Sequence, residues 1–282
     1  MPDFDSPDGP APLPLNGQAV HYQVAGAAAP AGPAPDAVLL ASAHDLTARA
    51  PWAAAGYAVL PGLPAPQQAA LQAGLARLLR EALAAAGCPV PPDFDVAHYH
   101  RVVAADEARH LAVIARTKAY DIRHFPIPVA LLEAHLSAAC GQPVRAHNPH
   151  ANERVFHLRI VRPGRPDHNP LHRDVWLPRY ADGLNIYLPV AGSTARSALA
   201  LVPGSHHWPE SAVVRTAAGA VYHGVPYTVP GVLGAHRPLS LVRPNPGPAE
   251  VLVFSPYLLH GAAANLNDDA TRVSLEMRFW GE

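Results

Sequence analysis

The chain has 282 residues, of which 49% are hydrophobic and only 15% charged, with a formal net charge of −1. That apolar share is ample for one large core, and nothing in the near-neutral balance suggests the basic surface that nucleic acid requires. The 33 prolines, roughly twice ordinary usage or more, argue against an all-helical design and for many short elements joined by turns.

The opening MPDFDSPDGP is acidic and proline-rich and lacks the basic and apolar regions of a secretory signal. Residues 1–16 are expected to be disordered or a loosely docked arm. QAVHYQVAG and DAVLLASA suggest two short strands, linked by the flexible AAAPAGPAP. PQQAALQAGLARLLREALAAA (66–86) is the clearest helix: Pro66 suits the first turn, leucines recur at 71, 75, 78, 79 and 83, and Gly87 ends it. Residues 105–120 and 128–140 predict two more helices, the second stopped by Gly141. Beyond residue 150, short apolar segments alternate with Pro, Gly, Asn and Asp: RVFHLRIVRP, LHRDVWLP, GLNIYLPVAG, SALALVPGS, AEVLVFSP and RVSLEMRFW. That texture predicts a sandwich or jelly roll. The expected organisation is an extension over 1–50 and one catalytic domain over 51–282, helical at about 64–141 and mainly β from about 150.

Cys88 and Cys140 are the only cysteines and no CxxC is present, so neither a disulfide framework nor a thiolate metal site is expected. No apolar run reaches the ~18 residues of a membrane span. A cytoplasmic protein with no membrane partner is the expectation.

Within NPLHRDVW, His172 and Asp174 would share one face of an extended strand. Alone they suit a structural pair, a catalytic dyad or two metal ligands. His260 in FSPYLLHG, closing an apolar strand, supplies a third donor. Two imidazoles and a carboxylate hold iron(II) on one face and leave positions open. The other histidines at plausible spacing (His98, His100, His147, His150, His206, His207) lack a carboxylate in register. On RVSLEMRF, Arg272, Ser274, Glu276 and Arg278 share one face and Val273, Leu275, Met277 and Phe279 the other. A polar inner face makes sense if it lines a cavity that takes an anion, gripped by an arginine fork and a hydroxyl.

HxD, a distant His and an Arg 272 − 260 = 12 residues later resemble the Fe(II)/2-oxoglutarate-dependent dioxygenases. GYAVLPGLPAPQQAALQ, LALVPGSHHW and EVLVFSPYLLHG resemble the phytanoyl-CoA dioxygenase-like branch, from about Gly56 to Arg278. The resemblance implies a double-stranded β-helix (a cupin-like jelly roll) with flanking helices. It implies His172, Asp174 and His260 as iron ligands, and Arg272 with Ser274 as the grip on the distal carboxylate of 2-oxoglutarate. It implies hydroxylation of a C–H bond with O₂ and release of succinate and CO₂. The substrate is expected to be a small metabolite or natural-product intermediate. A metal-dependent isomerase, lyase or hydrolase, or a binding protein on the same fold, is the alternative. Arg159 and His157 share one strand face, as do Asn185 and Tyr187; these, with Trp176, Lys118 and Arg123, are candidates for contacts to substrate or co-substrate. The PGSH turn reads as architectural. Arg278, six residues beyond Arg272, is expected far from the iron and paired with Glu276.

Overall fold

The computed structural model describes residues 13–30, 36–40, 45–166, 169–262 and 264–282. Its strands in chain order are β1 Leu13–Leu15, β2 Gln18–Val20, β3 Val24–Ala25, β4 Tyr57–Pro61, β5 Val144–Arg145, β6 Phe156–Val161, β7 Gly183–Ala191, β8 Val213–Arg215, β9 Ala220–Tyr222, β10 Val225–Tyr227, β11 Val232–Ala235, β12 Glu250–Phe254 and β13 Arg272–Gly281. The helices are α1 Ala65–Ala85, α2 Tyr99–Val103, α3 Glu107–Lys118 and α4 Val129–Cys140. The three expected helices are present within a residue or two. The short α2 was not foreseen. None of the helices is long and apolar enough to cross a membrane.

The helices form because their apolar residues recur on one face. In α1 that face is Leu71, Leu75, Leu78, Leu79 and Leu83, all buried. Each full burial of such a side chain is worth about 1.5–3 kcal/mol. α4 ends at Gly141, whose φ of 67° lies in the left-handed region where glycine carries no Cβ penalty.

The larger sheet runs β4-β12-β7-β13-β5, with β6 also paired to β13, and every pairing is antiparallel. Its outer face packs on the helices: Leu275, Met277, Leu158, Leu184 and Ile186 share a core with Leu71, Leu75, Leu78, Leu132 and Leu136. The facing layer is built from short pieces, β8-β11 and β3-β9-β10. Isolated bridges join His172 to His260, and Leu201 to both Val242 and His260. The layer stays fragmentary because Pro170, Pro203 and Pro256 interrupt its segments and lack the backbone donor a ladder needs. The result is an open double-stranded β-helix of the jelly-roll type with helices on one side, not a closed barrel.

Several local expectations are corrected. Leu13–Leu15 is not a loose arm: it pairs with β2 and is tied to the body by Leu241 N–H donating to Pro14 O and Asn16 N–H donating to Leu241 O. QAVHYQVAG gives two short strands, β2 and β3, rather than one. The described part of DAVLLASA forms only a bridge from Val38 to Pro209, and residues 41–44 lie outside the described residues. SALALVPGS makes bridges only, at Leu201. LHRDVWLP is not a continuous strand, because the chain turns into a 3₁₀ turn at Asp174–Trp176.

Candidate metal centre

His172, Asp174 and His260 converge between the two layers and are buried, each under 7% exposed. Their ligand atoms lie within 4.8 Å of one another. His172 Nε2 is 3.4 Å from Asp174 Oδ1, and His260 Nε2 is 3.9 Å from Asp174 Oδ2. Among the described residues no other group of three such donors comes together. Of the competing histidines, His98 faces Asp95, His100 bonds Thr271 and Asp269, and His206 Nε2 donates to Ala53 O.

The backbone sets both imidazoles. His172 Nδ1 lies 2.8 Å from Pro170 O, and His260 Nδ1 lies 2.9 Å from Leu258 O. A carbonyl oxygen only accepts, so Nδ1 carries the proton in each ring and Nε2 keeps its lone pair. Burial, then His172, pushes His260 down to about 4, so it is neutral at physiological pH. Burial raises the Asp174 carboxyl, but Arg278 and the two imidazoles outweigh it and hold Asp174 well below the ordinary carboxylate range. Imidazole Nε2 atoms and an ionised carboxylate are the donors a divalent metal needs.

Asp174 is gripped from behind. Arg278 Nε donates to Oδ2 at 3.0 Å and Nη2 to Oδ1 at 3.1 Å; Asn185 Nδ2 donates to Oδ2 at 2.9 Å. A carboxylate offers about four lone-pair directions. Three are taken, and the one left is on Oδ1, the oxygen nearer His172. Asp174 therefore has one oxygen to give a metal, which keeps further coordination positions free. Gly261 fits the same picture. Its φ is 103°, and a Cβ there would meet Pro170 O at 2.5 Å and His172 Nδ1 at 3.2 Å. Donor types, tautomers and spacing thus fit a mononuclear metal.

The PGSH turn fastens both halves of this constellation. Gly204 adopts φ 72°. Ser205 Oγ accepts from Leu259 N at 2.8 Å, directly before His260. Ser205 O accepts from Arg173 Nη2 at 2.7 Å, directly between His172 and Asp174. Arg173 also donates to Glu210 Oε1 at 2.5 Å and is fully buried. Tyr22, from the N-terminal segment, accepts from Leu171 N at 3.1 Å and donates to Val232 O. These contacts span from 32 to 210 residues, and no local sequence signal marks them.

The inner face of β13 carries the expected polar row, and Val273, Leu275, Met277 and Phe279 are buried on the other face. The arginine placement is the main correction. Arg278 is on the metal-site carboxylate, not remote from it, and Glu276 pairs with Arg159 at 2.9 Å instead. The expectation assumed that β13 returns antiparallel beside the strand that His260 closes. In fact β12 ends at Phe254 and His260 lies six residues on, in the facing layer. β7 stands between β12 and β13, so those two run parallel to each other, and Phe254, Asn185 and Arg278 line up at one end.

Arg272 is buried at the other end, over the Tyr187 ring at 5.7 Å, with Nη1 donating to Ser197 O at 3.4 Å. Leu199, two residues from Ser197, lines the metal pocket. Ser274 Oγ is buried with no hydrogen-bond partner among the described residues. Tyr187 hydroxyl bonds Ser193. Asn185 and Arg159 line the metal pocket, whereas Lys118 lines an adjoining cavity. Trp176 turns toward the facing layer and donates to Glu210 Oε2 at 3.1 Å. Arg123 is a surface residue clamped to Asp121. Asn185 was foreseen as a pocket residue but not as the partner of Asp174, and nothing in the sequence marks Arg278 for that role.

A jelly roll that brings two imidazoles and a carboxylate together in one buried pocket can hold a single divalent metal. The chain matches the sequence model of the phytanoyl-CoA dioxygenase (PhyH) family over residues 52–274 and belongs to that family. No curated protein matches it. Several solved structures are similar. AviO1 from Streptomyces viridochromogenes Tue57 is 20% identical over 83% of this chain and 96% of its own, with a TM-score of 0.44. EctD from S. alaskensis in its apoform is 20% identical over 93% and 85%, with a TM-score of 0.41. The non-heme alpha ketoglutarate dependent epimerase SnoN from nogalamycin biosynthesis is 15% identical over 85% and 83%, with a TM-score of 0.43.

Proposed function

We propose that the protein is an iron(II)- and 2-oxoglutarate-dependent oxygenase that hydroxylates a C–H bond of a small metabolite or natural-product intermediate. The observation that carries this reading is the convergence of His172 Nε2, His260 Nε2 and one oxygen of Asp174 in one pocket between the two layers. When bound, the iron, 2-oxoglutarate and O₂ supply the oxidising chemistry, with succinate and CO₂ as co-products.

The chain's own residues do the rest. The two carbonyls at Pro170 and Leu258 fix the imidazole tautomers. Arg278 and Asn185 aim Asp174. Arg272, with Ser274 beside it, would hold the distal carboxylate of 2-oxoglutarate, since a buried arginine fork suits a carboxylate and the Ser274 hydroxyl has a hydrogen bond to give. Leu199 and Phe254 line the metal pocket and exclude water.

The test is succinate formation from 2-oxoglutarate by iron-loaded protein across a substrate panel. Coupled succinate and hydroxylated product are expected, and both are lost in His260→Ala. Turnover of a panel member without succinate would instead support the isomerase, lyase or hydrolase reading.

A further inference from the structure

The metal pocket adjoins a second cavity. The two share Arg159 and Asn169 in their walls. The outer cavity, about 200 Å³, lies between α3, β6 and the end of β10, and its lining includes Ile114, Lys118, His157 and Tyr227. No carboxylate lines it among the described residues. The lining of the metal pocket has two, and both are engaged: Asp174 at the metal site, Glu276 with Arg159. Arg159 uses only Nε for that pair; among the described residues neither of its Nη groups donates to anything. Lys118 makes no hydrogen bond or ion pair among the described residues.

Among the described residues the charges of the two walls are three cations, Lys118, Arg159 and Arg278, against two anions, Asp174 and Glu276, or +3 − 2 = +1. A divalent metal and the 2-oxoglutarate dianion cancel each other, so the loaded pocket keeps that positive charge. His157 adds none: burial, then Arg159, Arg278 and Lys118, pushes it down to about 3, and it is neutral.

We infer that the substrate carries an anionic group, a carboxylate or a phosphate, bound in the outer cavity by Lys118 and the free edge of Arg159. This rests on the oxygenase reading above. Arg159 is the hinge of the argument, because it faces both cavities and so ties the anion to a fixed distance from the metal. A cationic substrate would meet the uncompensated charge, and a neutral one would leave two arginine amino groups and an ammonium without a ligand partner.

The test uses protein loaded with Mn(II) and saturating 2-oxoglutarate, so that Arg272 and the metal are already engaged. Phenylacetate, phenyl phosphate, phenylacetamide and phenethylamine are titrated by ligand-observed NMR. At least one of the two anions is expected to bind about tenfold or more tighter than the amide and the amine. The order of the two anions distinguishes carboxylate from phosphate. Lys118→Glu, at an exposed position that the fold does not need, should erase the preference. The double variant Arg159→Gln/Glu276→Gln, which leaves the net charge of the walls unchanged but removes the arginine fork, should weaken the anions likewise.

The inference is overturned if the amide or amine binds as well as the anions, or if neither anion binds. It is equally overturned if Lys118→Glu leaves anion affinity unchanged. Failure of the Mn(II)-loaded protein to bind 2-oxoglutarate, measured on the same sample, would instead remove the oxygenase reading and this inference with it.

Discussion

Replacing Arg278 by Met tests how the metal-site carboxylate is kept. Asp174 is 3% exposed and Arg278 17%, and two charge-assisted hydrogen bonds join them. Removing one partner of a buried pair leaves an uncompensated charge and costs about 3–5 kcal/mol. Asn185 still donates to Oδ2, so the lower end, about 3 kcal/mol, is the appropriate figure. For a domain of this size each 1 kcal/mol shifts Tm by about 2–4 °C, so metal-free Arg278→Met should melt roughly 6–12 °C below wild type.

A divalent cation replaces part of the lost compensation. The rise in Tm on adding Mn(II) should therefore be larger in the variant than in wild type. Without its arginine the buried Asp174 carboxyl rises, because the largest of the lowering influences is gone while burial remains. Metal binding in the variant should therefore release more protons than in wild type, measured by calorimetry in buffers of different ionisation enthalpy. Arg278→Lys keeps the charge but loses the fork and should fall between. A metal-free variant melting within about 2 °C of wild type, or showing an equal Mn(II) shift, would refute the claim that Arg278 carries the Asp174 charge.

Other outcomes follow from the same geometry. Arg272→Leu should raise the 2-oxoglutarate KM about tenfold or more at saturating iron, whereas Ser274→Ala, losing one neutral hydrogen bond, should raise it by about fivefold; an unchanged KM in Arg272→Leu would move the co-substrate elsewhere. Gly261→Ala should lower both Tm and Mn(II) affinity, because its Cβ would press on Pro170 O and the His172 ring; normal metal titration in that variant counts against the packing described. His157 is depressed from 6.5 to about 3, first by burial. The unfolded chain therefore binds its proton first as pH falls, and the stabilisation from a neutral His157 is whole above about 6.5 and disappears as pH falls through 3. Urea unfolding at stepped pH should show that acid limb, and His157→Gln should flatten it.

The helices and the alternation in β13 were legible because both rest on local period. Leucines every three or four residues can only serve one helical face, and Val273, Leu275, Met277 and Phe279 can only serve one side of a strand. The three metal donors were legible as residue types in order, but not through the geometry assumed for them. Asp174 reaches the site because the chain leaves the extended state there, in a 3₁₀ turn held by Asp174 N–H donating to Pro256 O. Strand order was not legible at all. It depends on which segments pair across more than a hundred residues, such as Arg159 with Ser274, and no local spacing encodes that choice. The role of Arg278 depends wholly on it.

One strand face therefore distributes the chemistry of the whole cavity. Along β13 the inward residues come in order: Arg272 and Ser274 buried at the start of the strand, Glu276 bound to Arg159 in the wall, then Arg278 on Asp174. At ~3.3 Å per residue the row spans roughly 20 Å. Because side chains alternate with a period of two, a slip of one residue would turn all four toward the helices and bring four apolar groups to the metal. The register is held from outside the site. Val273 packs among the α1 and α3 residues, and Leu275, Met277 and Phe279 lie in the core shared with α1 and α4. The helical layer therefore acts on the metal site without touching it, by fixing which face of β13 looks inward.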